Sequence, residues 1–182
     1  MNNSVISNLK FLTKNIKTNN YDEFLANFIN VDEYIKSNIS NDNIIDDDRI
    51  LFQSSRLIKW KVDLIFGICH HYGCAVWDDC DFTININKTT RYKLVGKKST
   101  IDIIHYLFPI ILDSFEKINR KQTKGMGHKV AFSFCDIMVN QFLNSLEQLK
   151  NDDLSKSKDF LFNIRPEVKT MKTSKFHDKF IK

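Results

Sequence analysis

The chain has 182 residues, 42% of them hydrophobic, which is enough for one domain, or one with a small appendage, around a real core and makes wholesale disorder the wrong default. Five Gly and two Pro are too few for an all-β fold with its many tight turns, and fifteen Phe point to a core packed with aromatic rings. Lys and Arg number 27 against 22 Asp and Glu, so a net charge of +5 permits an acidic partner without demanding one.

Taken in chain order, Val5, Ile6, Leu9, Leu12 and Ile16 repeat at helical spacing and predict a helix over about residues 3–17. The opening MNNSVISNLKFLTKN has no long apolar stretch, so no signal peptide is expected, and no apolar run reaches the ~20 residues of a membrane span. A cytoplasmic protein with reduced thiols follows as the expectation. Asn19 and Asn20 offer a stop and an N-cap, and Tyr21, Phe24, Leu25 and Phe28 start a second stripe that continues through Val31, Tyr34, Ile35 and Ile39. Ser40 to Asp48, with Asp42, Asp46, Asp47 and Asp48, reads as a polar break. It would act as a hinge between a helical N-terminal segment (1–45) and an α+β core (46–164).

Leu57, Trp60, Leu64, Ile65, Ile68 and Tyr72 mark a strong helix, with Gly73 where a left-handed C-terminal residue is expected. The period then drops to two. Cys74–Trp77 reads as a strand, Asp78–Asp81 as a turn, Phe82/Ile84/Ile86 as a half-buried strand and Tyr92–Gly96 as a third. Ser99 or Thr100 can cap the next helix, whose face is Ile101, Ile104, Phe108, Ile111, Phe115 and Ile118 and which Pro109 should kink or break. After a basic, glycine-containing loop (121–127) comes a helix over about 128–149, apolar on more than one side and therefore expected to be central. Leu154 and Phe160 to Ile164 are expected to dock back on the body. Residues 165–182 carry six basic and two acidic residues, a net +4, and read as a flexible basic tail. The predicted fold is α+β and mostly helical, with helices packed around a short three-stranded antiparallel β-meander at about residues 74–96.

From Trp60 to about Leu146 the order of features resembles a small family of uncharacterised phage and bacterial domains. The matching features are a helix with Trp60 and Leu64, the Gly73-Cys74 pair at a strand start, and a strand ending Leu94-Val95-Gly96. A long helix follows, and then Ser133-Phe134 opens the last one. Cys135 stands where that family carries a small residue. The resemblance implies this element order and a phage or mobile-element origin, and it brings no catalytic residues.

Two constellations carry chemistry. Cys69, His70, Cys74 and Cys80 span a helix end and a hairpin and are the ligand types of a structural zinc site. Their spacing, C-x4-C-x5-C, is no paired knuckle, and buried core thiols are the plainer reading. Asp78, Asp79 and Asp81, or Asp46 to Asp48, are hard-cation ligand types, but Asp also serves turns and caps.

The second constellation is basic. Arg91, Lys93, Lys97 and Lys98 run along the third strand and the loop after it, with Arg91 and Lys93 on the face opposite Tyr92 and Leu94. Arg120, Lys121, Lys124 and Lys129 surround the Gly125-Met126-Gly127 loop, and Lys172 and Lys175 lie in the tail beside Phe176 and Phe180. Cations interleaved with aromatics suit phosphate contacts and base stacking, as on RNA. The expectation is a non-enzymatic binding protein for a nucleic acid or nucleoprotein complex, for example an inhibitor of a host defence effector. No cofactor is required. Two alternatives stay open: an enzyme using the Cys/His or Asp cluster, and a homodimeric module built on the N-terminal helices.

Overall fold

The structure is a computed structural model and describes residues 3–56, 58–80, 89–146 and 152–165. The elements in chain order are α1 (Asn3–Leu12), α2 (Tyr21–Asn38), β1 (Ile44–Ser54), α3 (Lys59–His71), β2 (Ala75–Cys80), β3 (Thr90–Lys97), α4 (Lys98–Gln122), α5 (His128–Ser145) and α6 (Asp152–Ile164). The fold is α+β, with a three-stranded antiparallel sheet among helices, as the sequence predicts.

The sheet differs from the expected meander in where its strands come from. Its order is β1-β3-β2, and the outer strand β1 is drawn from the acidic segment read as a hinge. Asp is disfavoured in strands, yet here each of two carboxylates finds a cationic partner. Asp46 takes Arg165 on one face of the sheet, and Asp47 takes Arg49 and His105 on the other. The ladder is irregular between Asp47 and Phe52, and this bulge is where Arg49 folds back on Asp47. β2 runs straight through Asp78 and Asp79, so the expected turn starts too early. The expected Phe82–Ile86 strand lies outside the described residues.

Caps follow local chemistry. Asn20 Oδ1 accepts from the Asp22 and Glu23 amides at the start of α2. Gly73 ends α3 with φ 78°, and the Gly73 and Cys74 amides close on His70 and Cys69 carbonyls. α4 is not capped by Ser99 or Thr100. The Ser99 amide donates instead to Asp42 Oδ2 at 3.0 Å, so a carboxylate from the acidic segment sits at this helix N-terminus. α4 continues unbroken through Pro109, whose ring is exposed, so the lost hydrogen bond falls on the solvent side.

One large core gathers Leu9 and Ile16, the α2 face Phe24, Phe28, Val31 and Ile35, and the inner faces of α3, α4, α5 and the sheet. The apolar stripe of the N-terminal helices is therefore spent inside the same core as residues 64–142. Its centre is a ring cluster. Phe24, Phe115 and Phe142 meet edge to face at 5.1–5.5 Å, and Phe28 reaches Phe142 at 4.9 Å, tying α2, α4 and α5 together. α5 is not central. It buries Cys135, Met138, Val139 and Phe142, but Val130 and Ile137 are 50% and 57% exposed. A second, small cluster lies on the other face of the sheet, where Ala75, Trp77 and Val95 meet Leu161 of α6. Among the described residues no helix is long and apolar enough to cross a membrane.

Candidate functional site

The basic residues separate into two places. The strand set lies on the sheet face turned towards α6. Tyr92 and Leu94 are buried in the main core, while Lys93 pairs across the strands with Trp77 and holds its ammonium 5.0 Å from the indole centroid. Arg91 is half-buried opposite Gln53 and Asp79. Lys97 is held by Asp153 of α6 at 2.7 Å, and Lys98 is exposed at the start of α4. Lys172 and Lys175 lie outside the described residues.

Of the helix set, Arg120, Lys121 and Lys124 converge, and Lys129 lies apart. The last turns of α4, the loop to α5 and the first turns of α3 and α5 bound a groove of about 480 Å³. Arg120 and Lys124 supply charge, His128 and Phe132 come from α5, and Trp60 and Lys61 form the α3 wall. Gly125, at φ 81° and with no atom near the position a Cβ would take, lets the loop turn tightly in the left-handed region. The imidazole of His128 stacks on Phe132 at 4.9 Å and 16°, and Phe132 stays 39% exposed. Lys61 lies 5.2 Å from the Trp60 centroid while pairing with Glu116, so its charge is partly neutralised. Across α4, a second hollow of about 270 Å³ is lined by Asn19, Lys117, Arg120 and Lys121. Arg120 lines both, which makes one cationic track around the end of α4. Lys121 is steadied by Asn19 Oδ1 at 2.9 Å and Lys117 by Asp113, and Lys124 and Lys129 are exposed. Such a track can bind an anionic backbone, and the Phe132 face can take a flat ring. The charge run alone pointed to α4 and its loop. Phe132, Trp60 and Lys61 carry no signal in sequence beyond helical spacing, and only the α3–α4–α5 packing brings them there.

The sulfur cluster is arranged differently. Cys69 and Cys74 are fully buried in the main core, and the Cys74 amide bonds the Cys69 carbonyl. Burial, and then the neighbouring Cys74, pushes the Cys69 thiol well above its ordinary range; burial does the same to Cys74. The His70 ring packs edge-on to Phe66 at 5.8 Å, and the Cys80 side chain lies outside the described residues. Among the described residues no three His, Cys, Asp or Glu side chains converge as a metal site would need. Cys135 is buried on the core side of α5, its thiol pushed up to about 12 chiefly by burial.

Two histidine–carboxylate pairs are invisible in the sequence. His71 Nε2 lies 2.8 Å from Asp32 Oδ1 in the interior, and Lys36 holds the other oxygen of Asp32. His105 Nε2 lies 2.8 Å from Asp47 Oδ2, and Arg49 bridges Asp47 to Asp102. Each joins residues tens of positions apart. Compared with known proteins, the chain matches no family model, no curated protein and no solved structure.

Proposed function

We propose that this chain is a non-enzymatic, cytoplasmic binding protein for single-stranded nucleic acid, either free or displayed by a nucleoprotein complex, and that the groove at the end of α4 is its contact surface. The observation that carries this reading is the placement of Arg120 and Lys124 beside the exposed Phe132 ring in one open groove. Phosphates pair with the cations and a base lies on the ring, a sequence-tolerant mode. The resemblance of residues 60–146 to phage and bacterial domains supports a mobile-element setting, in which a host defence effector that exposes its nucleic acid is one concrete target.

The test is titration of a labelled oligouridylate at several salt concentrations. Single-strand affinity falls with a log–log slope of about −0.7 per phosphate neutralised. Arg120→Gln with Lys124→Gln is expected to weaken binding and to flatten that slope by about 1.4. Binding that ignores salt, or a double variant that binds as wild type does, refutes the reading.

A further inference from the structure

α6 is an unusual piece of this fold. The main core is large, but in the second cluster, under α6, the buried residues among those described are Ala75, Trp77, Val95 and Leu161, with Ile44 and Phe160 at its edge. Polar atoms are enclosed beside this apolar patch. Trp77 is 7% exposed, yet its Nε1 has no hydrogen-bond partner among the described residues, and the same holds for the buried Asp46 Oδ1. Trp77 packs in the α6 cluster and Asp46 binds Arg165 just after α6, and burying a polar atom without a partner costs free energy. Lys158 is half-buried in α6, and burial depresses its pKa. Among the described residues, the polar ties that hold the helix down are the Ser157 Oγ bond to the Gly73 carbonyl, Lys97 to Asp153, and Arg165 to Asp46. Among the described residues, docking thus combines a small apolar patch with polar ties, and it encloses polar atoms at a cost.

The sheet face on which α6 packs has a recognisable composition. Along β3, alternation puts Arg91, Lys93 and Lys97 on the same side as Trp77 of β2. The Arg165 guanidinium lies 4.0 Å from the centre of the Trp77 ring, a stacking distance for a flat group. It occupies the place that a nucleobase would take on an exposed indole. The Asp153 carboxylate meanwhile occupies Lys97, as a phosphate would. α6 and the residue that follows it therefore mimic both halves of a nucleotide.

We propose that the sheet face of Arg91, Lys93 and Lys97 around Trp77 is a second single-stranded nucleic-acid site, which α6 masks by docking on it and exposes by lifting off. Its ligand class is the one assigned to the groove, but it uses no groove residue, so it stands or falls separately. A site available only in the open form binds with an affinity reduced by the fraction open.

The test uses the full chain with Arg120→Gln and Lys124→Gln, which silences the groove, and a labelled oligouridylate as probe. Adding Leu161→Ala and Arg165→Gln is expected to lower amide protection across α6 and to tighten binding by on the order of tenfold. Lys93→Gln with Lys97→Gln in that background is expected to abolish the gain. In the wild-type chain, α6 amides are expected to exchange faster than those of α4. Two results overturn the proposal: a loosened α6 that brings no gain in binding, or α6 amides as well protected as α4 and not loosened by the two substitutions. If the wild-type chain binds no oligonucleotide but the loosened variant does, the groove reading fails and the masked site stands.

Discussion

Gly96 lies hard against Cys74: a Cβ at position 96 would stand 2.4 Å from Cys74 Sγ, 3.2 Å from its Cβ and 3.3 Å from its Cα. Backbone atoms of β3 and of the residue that enters β2 approach each other here, and only glycine leaves room. Gly96→Ala is expected to destabilise the fold by about 1–3 kcal/mol, the usual cost of overpacking a core. At this chain length that lowers Tm by about 2–4 °C per kcal/mol. Combining it with Cys74→Ala removes the sulfur but leaves the Cβ and the backbone of residue 74 in the way, so only part of the loss should return. A single variant that melts with wild type would show that the two residues do not crowd each other.

The His71–Asp32 pair predicts a larger effect. Both side chains are buried, at 3% and 10% exposure, and Lys36 is a further partner of the carboxylate. Removing one member of a buried pair strands the other, at a cost of about 3–5 kcal/mol. Because Lys36 still neutralises Asp32, His71→Ala is expected at the low end, about 3 kcal/mol. Asp32→Asn keeps an oxygen for a hydrogen bond and should cost less. Urea unfolding with a common slope reads both values, and equal losses for the two variants would contradict this ordering.

Phe132 separates stacking from charge in the groove. Its ring is 39% exposed and leans on His128, so little of the core depends on it. Phe132→Ala should leave Tm nearly unchanged while weakening oligonucleotide binding by about 1–3 kcal/mol, the range for one base–aromatic stack. Its salt slope should stay that of wild type, because no phosphate contact is lost. A flattened slope in this variant would mean that Phe132 acts by positioning the cations.

Much of the architecture was legible because it rests on local periodicity. The spacing of Phe24 to Ile35, of Trp60 to Tyr72 and of Ile101 to Ile118 identified three helices, and Asn20 and Gly73 marked their ends through cap chemistry. β1 was not legible. Ile44-Ile45-Asp46-Asp47-Asp48 has the composition of a loop, and what makes it a strand is supplied by distant residues: Arg165, His105 and the β3 backbone. The place of α5 was hidden for a related reason. Val130 and Ile137 add apolar residues to its pattern, but nothing in the sequence says that no neighbour covers them. Of the candidate surfaces, the charge around Gly125 was readable from composition. That Asp153 would pair with Lys97 and Arg165 would lie on Trp77 was not, since it depends on where α6 docks.

The His105–Asp47–Arg49 cluster sets the behaviour in mild acid. Burial lowers the His105 pKa, and the Arg49 charge lowers it further, outweighing the pull of Asp47. His105 is therefore neutral near pH 7, and its 2.8 Å contact is an Nε2–H donated to the Asp47 carboxylate. Burial alone would raise the Asp47 carboxyl, but hydrogen bonds from Arg49, its charge and the His105 bond hold it below the ordinary value. For His105 the unfolded chain binds its proton more readily than the folded one. Its contribution is complete above the ordinary histidine value of 6.5 and is lost as pH falls below it towards the folded pKa. Asp47 acts in the same direction at lower pH. Its contribution is present above 3.8 and disappears as pH drops through its depressed folded value. Tm is therefore expected to fall between about pH 7 and 5 through His105, and again below about pH 4 through Asp47. His105→Gln keeps an N–H donor for Asp47 and removes the titrating ring, so it should flatten the first decline and leave the second. A variant whose Tm still drops as steeply as wild type between pH 7 and 5 would assign that loss to another group.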